Sequence, residues 1–218
     1  DKMELIEKPK ERINPTFQFT YGKTPGKLLF EINNLVIGYD EPLSKPINLV
    51  IERGEKIAIV GANGIGKSTL LKSLIGINRP ISGEVIKNVG LEIGYFEQEV
   101  TPSKKTALQE VWDHYPYLTN GEVRGKLAMC GLTTNHIESL MLALSGGEAA
   151  KVRLCIIMMQ ECNCLILDEP TNHLDIMAKE SLKEALKEGL SYPAARAHAV
   201  KVSHPELSDI LETPNNIL

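Results

Sequence analysis

Residues suited to binding phosphate stand together in the first third of the chain. They form the phosphate loop, Gly61-Ala62-Asn63-Gly64-Ile65-Gly66-Lys67-Ser68, which fits the pattern G-x-x-x-x-G-K-[ST] in full. The glycines let the backbone curl until its N–H groups converge on phosphate oxygens at the start of a helix. Lys67 would bring positive charge to the β- and γ-phosphates, and Ser68 would offer its hydroxyl to Mg²⁺. The loop therefore predicts a site for a nucleoside triphosphate.

Two adjacent acids follow about a hundred residues later. Asp168 and Glu169 come directly after Cys164-Leu165-Ile166-Leu167, an apolar run typical of a strand buried on both faces. Asp168 at the end of that strand suits a contact to Mg²⁺ through water, and Glu169 could orient or deprotonate an attacking water. Such acids often serve only solubility, but downstream of a phosphate loop we interpret them as functional.

A third motif is Leu144-Ser145-Gly146-Gly147-Glu148, here called the signature. The spacing of Ser145 and Glu148 predicts a capping box at the start of a helix. A capped helix start with two glycines can also bind an anion, and both interpretations can hold at once. The residues alone do not decide whether this helix start is only capped or also binds an anion.

The elements that must position these motifs fall into four regions. Residues 1–16 mix acids and bases with prolines at 9 and 15, which predicts the end of a linker. Four short strand-like runs then predict an antiparallel β region: Phe17–Phe19, Leu28–Ile32, Leu35–Ile37 and Ile47–Ile51. Strands at Lys56–Val60 and Cys164–Leu167, with a helix at Lys67–Ile75, predict a parallel α/β core. Two helical stretches, Thr106–Cys130 and Glu148–Gln160, lie between those strands.

The composition of all 218 residues, 43% hydrophobic and 24% charged, is that of a folded domain with a core. A net charge of −4 argues against binding nucleic acid through overall charge. No apolar run approaches the ~20 residues of a membrane helix. The four cysteines at 130, 155, 162 and 164 lack the paired spacing of a zinc site, so we expect buried thiols and a cytoplasmic protein.

Together these motifs resemble the ATP-binding cassette superfamily. The phosphate loop, Gln98 after the strand at Leu91–Phe96, the signature and the stretch LILDEPTNHLD at 165–175 appear in the family's order, over about residues 28–190. The separation of 23 positions from Ser145 to Asp168 also suits it. The resemblance implies an α/β P-loop NTPase fold: an ABC-type nucleotide-binding domain at 17–218 with a RecA-like core, an antiparallel β subdomain and a helical subdomain at about 105–160.

Finer details resemble one branch, the ABC-F proteins, which are soluble tandem ATPases that act on the ribosome. The signature ends in Glu148 where transporters usually have Gln, and the D-loop reads Thr171-Asn172-His173-Leu174-Asp175. The segment GYFEQE at 94–99 is equally suggestive, and Pro42 to Thr69 most resembles the second of the two cassettes. Residues 1–16 would then end the linker between them. An ATP-hydrolysing translation factor is expected, whose full-length form contacts rRNA and tRNA in the cytoplasm, without a membrane partner.

In this family each ATP lies between two cassettes. The resemblance implies that Ser145, Gly146, Gly147 and Glu148 meet a nucleotide held by a partner, either the second cassette of the same parent chain or a homodimer mate. Asp175 would contact that opposing cassette. Within the chain, Thr69 joins the phosphate loop in binding nucleotide, Tyr39 would stack on adenine, and Gln98 would sense Mg²⁺ and the attacking water.

A switch histidine is the least regular feature of the resemblance. Val202-Ser203-His204 has the local pattern, but Pro205 follows where the family usually has an acid. The strand before it is poorly apolar, and His204 lies 35 residues after Glu169, a few more than expected. His198, at a separation of 29, is the alternative, and a chain without this residue is a third. Two other functions also stay open: an energising subunit of a transporter, and a degenerate cassette that serves as a nucleotide-dependent scaffold.

Overall fold

The computed structural model describes residues 14–97 and 100–188. Gln98, His198 and His204 lie outside the described residues, as do residues 1–13 of the expected linker, so their roles remain predictions. The elements are β1 Leu28–Val36, β2 Ile47–Glu52, α1 Lys67–Ile75, β3 Ser82–Lys87, β4 Ile93–Phe96, α2 Ala107–His114, α3 Asn120–Met129, α4 Thr134–Glu138, a 3-10 turn Met141–Ala143, α5 Gly146–Met159, β5 Cys164–Leu167 and α6 Ile176–Glu188.

An antiparallel sheet in the order β2-β1-β3 confirms the β region expected between residues 28 and 51. Two predicted runs, Leu28–Ile32 and Leu35–Ile37, form one continuous strand, β1, which ends at Val36 and whose register shifts near Asn34. The backbone of Asn34 has a φ of 48°, and a Cβ on Gly83 of β3 would lie 2.2 Å from its carbonyl oxygen. The irregularity in β1 therefore requires Gly83, the second residue of β3, which is a strand that the sequence analysis did not predict.

The parallel core pairs β4 with β5, in register from Ile93 opposite Cys164 to Phe96 opposite Leu167. All four residues of β5 are buried, as predicted. The run at 56–60 differs, because it carries only isolated bridge positions at Ala58 and Val60, and Val60 is 44% exposed. The expectation of a strand buried on both faces is wrong there, since alternate residues face solvent.

Alternate faces of β5 divide the core. Cys164 and Ile166 pack in a cluster with α1 and the antiparallel sheet, while Leu165 and Leu167 pack with the helical subdomain. This strand thus joins the two halves of the molecule and places its carboxyl end between them.

The predicted helix at Thr106–Cys130 is two helices, α2 and α3. Pro116 separates them, because the residue before a proline is driven out of the helical region, and Tyr115 has φ −132° and ψ 63°. Thr119 then starts α3 with a capping box to Glu122. Capping boxes also begin α2, α4 and α5, and the last of these confirms the box predicted for Ser145 and Glu148.

The segment 14–20 packs against the helical subdomain and does not join the antiparallel sheet, so the β assignment of Phe17–Phe19 is wrong. Phe17 and Phe19 are buried among the helices. The N–H groups of Thr16 and Thr20 donate to the carbonyls of Met129 and Met158, at the ends of α3 and α5. Those carbonyls lack partners within their own helices, which is why an extended segment binds there.

Across residues 14–97 and 100–188, no helix has the length and apolar character to cross a membrane. Over the same ranges the four cysteines are buried and free, and no cluster of three or more His, Cys, Asp or Glu side chains could hold a metal ion.

Candidate nucleotide-binding site

The phosphate loop ends where α1 begins. Gly64 and Gly66 adopt φ values of 85° and 102°, in the left-handed region that favours glycine. Gly66 is the N-cap of α1, with no side-chain cap and no acid in the first turn. The first N–H groups of the helix are thus left for a ligand, and the helix dipole makes that ligand an anion.

The Lys67 ammonium lies at the centre of the loop and is only 8% exposed. It donates to the carbonyls of Gly61 and Ala62 at 2.8 and 3.2 Å, and to Asn63 Oδ1 at 3.3 Å. Its fourth neighbour is Glu169 Oε1, at 3.4 Å. Oxygen atoms of the loop therefore hold the Lys67 ammonium at the position where the sequence predicts that phosphate groups bind.

Asp168 lies beneath the loop at the end of β5 and is 2% exposed. The Ser68 hydroxyl is hydrogen-bonded to its carboxylate. Burial raises the pKa of Asp168, and the hydrogen bond from Ser68 opposes that rise. Its Oδ2 atom has no hydrogen-bond partner among the described residues. A buried, unpartnered carboxylate oxygen beside a serine hydroxyl fits Mg²⁺, which prefers oxygen ligands.

Glu169 reaches the loop from a strained backbone, with a φ of 48°. Its Oε1 atom pairs with Lys67, and its Oε2 atom accepts a hydrogen bond from the Asn172 amide. The Asn172 N–H also donates to the carbonyl of Glu169 at 3.1 Å. The carboxylate is thus held at the edge of the cleft by two side chains.

A cleft of about 420 Å³ opens above these groups. Tyr39 stands at its mouth with 70% of its surface exposed, and its hydroxyl accepts a hydrogen bond from Thr69 Oγ1 at 3.5 Å. An exposed aromatic face can stack on a nucleobase. The structure therefore gathers these predicted residues around one cleft: Tyr39, Asn63, Gly64, Gly66, Lys67, Ser68, Thr69 and Glu169.

The signature lies against the D-loop of the same chain. A Cβ on Gly147 would lie 2.5 Å from the carbonyl oxygen of His173, and one on Gly146 would lie 3.2 Å from the His173 ring. His173 itself has a φ of 65°. The two glycines thus let the D-loop approach α5, a packing role that exists beside the anion site that their sequence predicts.

Asp175 makes two contacts within the chain. Its carboxylate accepts from Lys151 Nζ at 2.7 Å and from the N–H of Ala178 at 2.8 Å, so it also caps α6. The expected contact with an opposing cassette stays a prediction.

Sequence reasoning missed two polar neighbours of the site. Asn172 is one, and its place three residues after Glu169 was the available signal. Another is Glu97, whose carboxylate pairs with Lys72 of α1 at 2.6 Å and raises the pKa of that lysine. The carbonyl of Glu97 accepts a hydrogen bond from Arg153 of α5 at 2.9 Å. No local pattern predicts these two contacts of Glu97, because α1 and α5 lie far from each other in the sequence.

The family model described as ABC transporter matches residues 44–172, more than half of the chain. The chain belongs to the family of ATP-binding cassettes. It is 57% identical over 189 residues to the ABC transporter ATP-binding protein YfmM of Bacillus subtilis, covering 86% of this chain and 36% of that protein. It is 42% identical to ABC transporter F family member 5 of Arabidopsis thaliana, covering 86% and 28% respectively.

A third relative is the ribosome protection protein VmlR of Bacillus subtilis, 35% identical, with 85% of this chain and 35% of that protein covered. The chain thus spans about a third of the length of these curated relatives. Among solved structures, a dimeric ATP-binding cassette in a post-hydrolysis state with ADP and Pi is 24% identical with a TM-score of 0.66, covering 79% of this chain and 88% of that one. This likeness establishes the P-loop NTPase fold of a cassette.

Proposed function

We propose that this chain is an ATP-binding and ATP-hydrolysing cassette, at residues 17–218, of a tandem ABC-F protein that acts on the ribosome. The observation that carries the proposal is one cleft in which Lys67 and Glu169 lie 3.4 Å apart above the buried carboxylate of Asp168. Residues 1–16 would be the end of the linker that precedes it, and residues 105–160 its helical subdomain.

The chain's own groups define the chemistry. The N–H groups at the start of α1 and the Lys67 ammonium bind the β- and γ-phosphates, and Tyr39 stacks on the adenine. Ser68 and Asp168 would hold Mg²⁺, which when bound neutralises negative charge that develops on the phosphates. Phosphate competes with Glu169 for Lys67, so nucleotide binding releases Oε1 of the carboxylate. Glu169 then orients a water in line with the γ-phosphate and accepts its proton.

A second cassette completes each site. Ser145, Gly146, Gly147 and Glu148 at the start of α5 would meet the nucleotide of the partner, a tandem cassette or a homodimer mate. Support comes from the helix start itself, where two glycines leave the backbone uncovered by side chains of their own. Gln98 and a switch histidine, His204 or His198, would complete the γ-phosphate contacts. ATP closes the pair and hydrolysis reopens it.

The ribosomal role is supported by relatives, above all by the 35% identity to a ribosome protection protein. In the full-length parent, closure would change contacts with rRNA and tRNA in the cytoplasm. The test is cosedimentation of that parent with ribosomes, with and without a non-hydrolysable ATP analogue. We expect ribosome association only in the analogue-bound state. Equal association in both states would contradict a nucleotide-dependent ribosomal role, and copurification with a membrane-domain partner would favour a transporter subunit.

A further inference from the structure

His136 joins the capping boxes of two helices in the helical subdomain. Within α4 its N–H donates to Thr133 Oγ1, while its ring Nδ1 accepts from the Thr133 N–H, both at 3.4 Å. Its Nε2 atom lies 3.2 Å from Oε1 of Glu148, the last residue of the signature. One imidazole thus connects α4 to the first turn of α5.

The hydrogen-bond pattern assigns the imidazole proton. Because Nδ1 accepts a hydrogen bond, the neutral ring carries its hydrogen on Nε2, where it donates to Glu148. The contact therefore forms without a charge on His136. A neutral side chain with one donor and one acceptor in similar places could replace it.

Both oxygens of Glu148 are engaged as a result. Oε1 accepts from His136, and Oε2 accepts from the Ser145 N–H at 2.9 Å. Burial acts to raise the pKa of Glu148, but the hydrogen bonds from Ser145 and the nearby charge of Lys151 outweigh it, so that the pKa is lowered. A charged carboxylate so close to a helix start would repel a phosphate unless such contacts hold and offset it.

We propose that His136 is a positioning residue for the signature, holding the Glu148 carboxylate so that the start of α5 can receive the terminal phosphate of a nucleotide bound to a partner cassette. This rests on the proposed function, because the signature meets that phosphate only in a pair.

The first test measures ATP-dependent self-association of the chain by sedimentation, in a Glu169→Gln background that retains bound ATP. We expect His136→Ala to weaken association roughly tenfold, and His136→Gln, which keeps a donor and an acceptor, to stay within about threefold of the parent. In a Glu148→Gln background the charge is gone, so His136→Ala should add little. An equal loss in both backgrounds would overturn the proposal, because it would mean a role independent of the carboxylate.

The second test uses the monomer, so that it shows whether His136 holds the Glu148 carboxylate even if the chain does not pair. Amide hydrogen exchange is measured at Ser145, whose N–H donates to Glu148, and at Thr119, whose N–H donates to Glu122 in an equivalent box. His136→Ala should speed exchange at Ser145 by about tenfold and leave Thr119 unchanged. Unchanged protection at Ser145 would refute the proposal. Absence of ATP-dependent pairing in every variant, including the parent, would count against the proposed function instead.

Discussion

Among single residues, Asp168 is the one whose side chain lowers the stability of the folded chain while suiting it to bind a cation. Its carboxylate is almost fully buried, one oxygen has no hydrogen-bond partner among the described residues, and burial raises its pKa. Such a group costs free energy in the protein alone and is retained where a cation or ligand compensates for it. Glu169 and His173 also cost free energy in the folded chain, because both have positive φ values that non-glycine residues rarely adopt.

Asp168→Asn should therefore have opposite effects with and without ligand. Removing the charge should raise the free energy of unfolding of the ligand-free chain by about 1–2 kcal/mol. The additional stabilisation that MgATP gives the parent should be lost, because Asn lacks the negative charge that would hold Mg²⁺ through its bound water. Urea unfolding with and without MgATP measures both. The matched control is Asp113→Asn, which removes a charge from an exposed ion pair with Lys105. Its free energy of unfolding should stay within about 0.5 kcal/mol of the parent's. If Asp168→Asn destabilises the ligand-free chain, the account is contradicted.

Gly147 provides a second residue-scale prediction. Alanine normally favours a helix over glycine by up to about 1 kcal/mol, yet here its Cβ would meet the His173 carbonyl at 2.5 Å. We expect Gly147→Ala to lower the free energy of unfolding by about 1–3 kcal/mol, because backbone must shift. Gly146→Ala meets only the His173 ring, at 3.2 Å, and should cost less. Thermal unfolding of the two variants compares them directly, and a Gly147→Ala as stable as the parent would show that the D-loop does not pack there.

At the scale of elements, α3 contains two glycines with no packing role. A Cβ on Gly121 or Gly125 would have nothing within 4 Å among its neighbours. Gly125→Ala should therefore raise the free energy of unfolding by about 0.5–1 kcal/mol, and the midpoint temperature by about 1–4 °C. Calorimetry measures the change. A loss of stability would mean that this face of α3 is covered.

Element prediction succeeded where local signals were strong. The helix at Lys67–Ile75, the buried strand at Cys164–Leu167 and the capping box at Ser145 follow from glycine, apolar and cap patterns that act over a few residues. β3 was missed because Ser82–Lys87 is mostly exposed and lacks an apolar alternation. Phe17–Phe19 was misassigned because its partners are helix ends more than a hundred residues away, a contact that no local pattern contains.

In the candidate site too, features set by local sequence patterns could be predicted, and contacts between distant residues could not. The phosphate loop and the two acids were identifiable from spacing. The structure places Glu169 at the cleft of the loop, and Asp168 is buried with its carboxylate hydrogen-bonded to Ser68. The pairing of Lys67 with Glu169 and of His136 with Glu148 joins residues brought together only by the fold. Side-chain contacts of this kind depend on three-dimensional geometry, which a linear sequence does not specify.

For the molecule as a whole, β5 is the common support of the site and the helical subdomain. Its two faces enter two separate clusters, and its carboxyl end leads through Asp168 and Glu169 into the D-loop. The D-loop lies against the signature of the same chain, while Glu97 connects α1 with α5. A change at the phosphate loop therefore has contiguous contacts through which it can reach the surface expected to meet a partner cassette.

We expect this cleft to bind a nucleoside triphosphate with Mg²⁺ through Lys67. Calorimetric titration of the purified chain with ATP, in the presence and absence of Mg²⁺, tests it most directly. We predict Mg²⁺-dependent binding that Lys67→Ala weakens at least about tenfold, while Lys183→Ala on the surface of α6 binds as the parent does. Absence of Mg²⁺-dependent binding, or equal affinity of Lys67→Ala and the parent, would contradict the account.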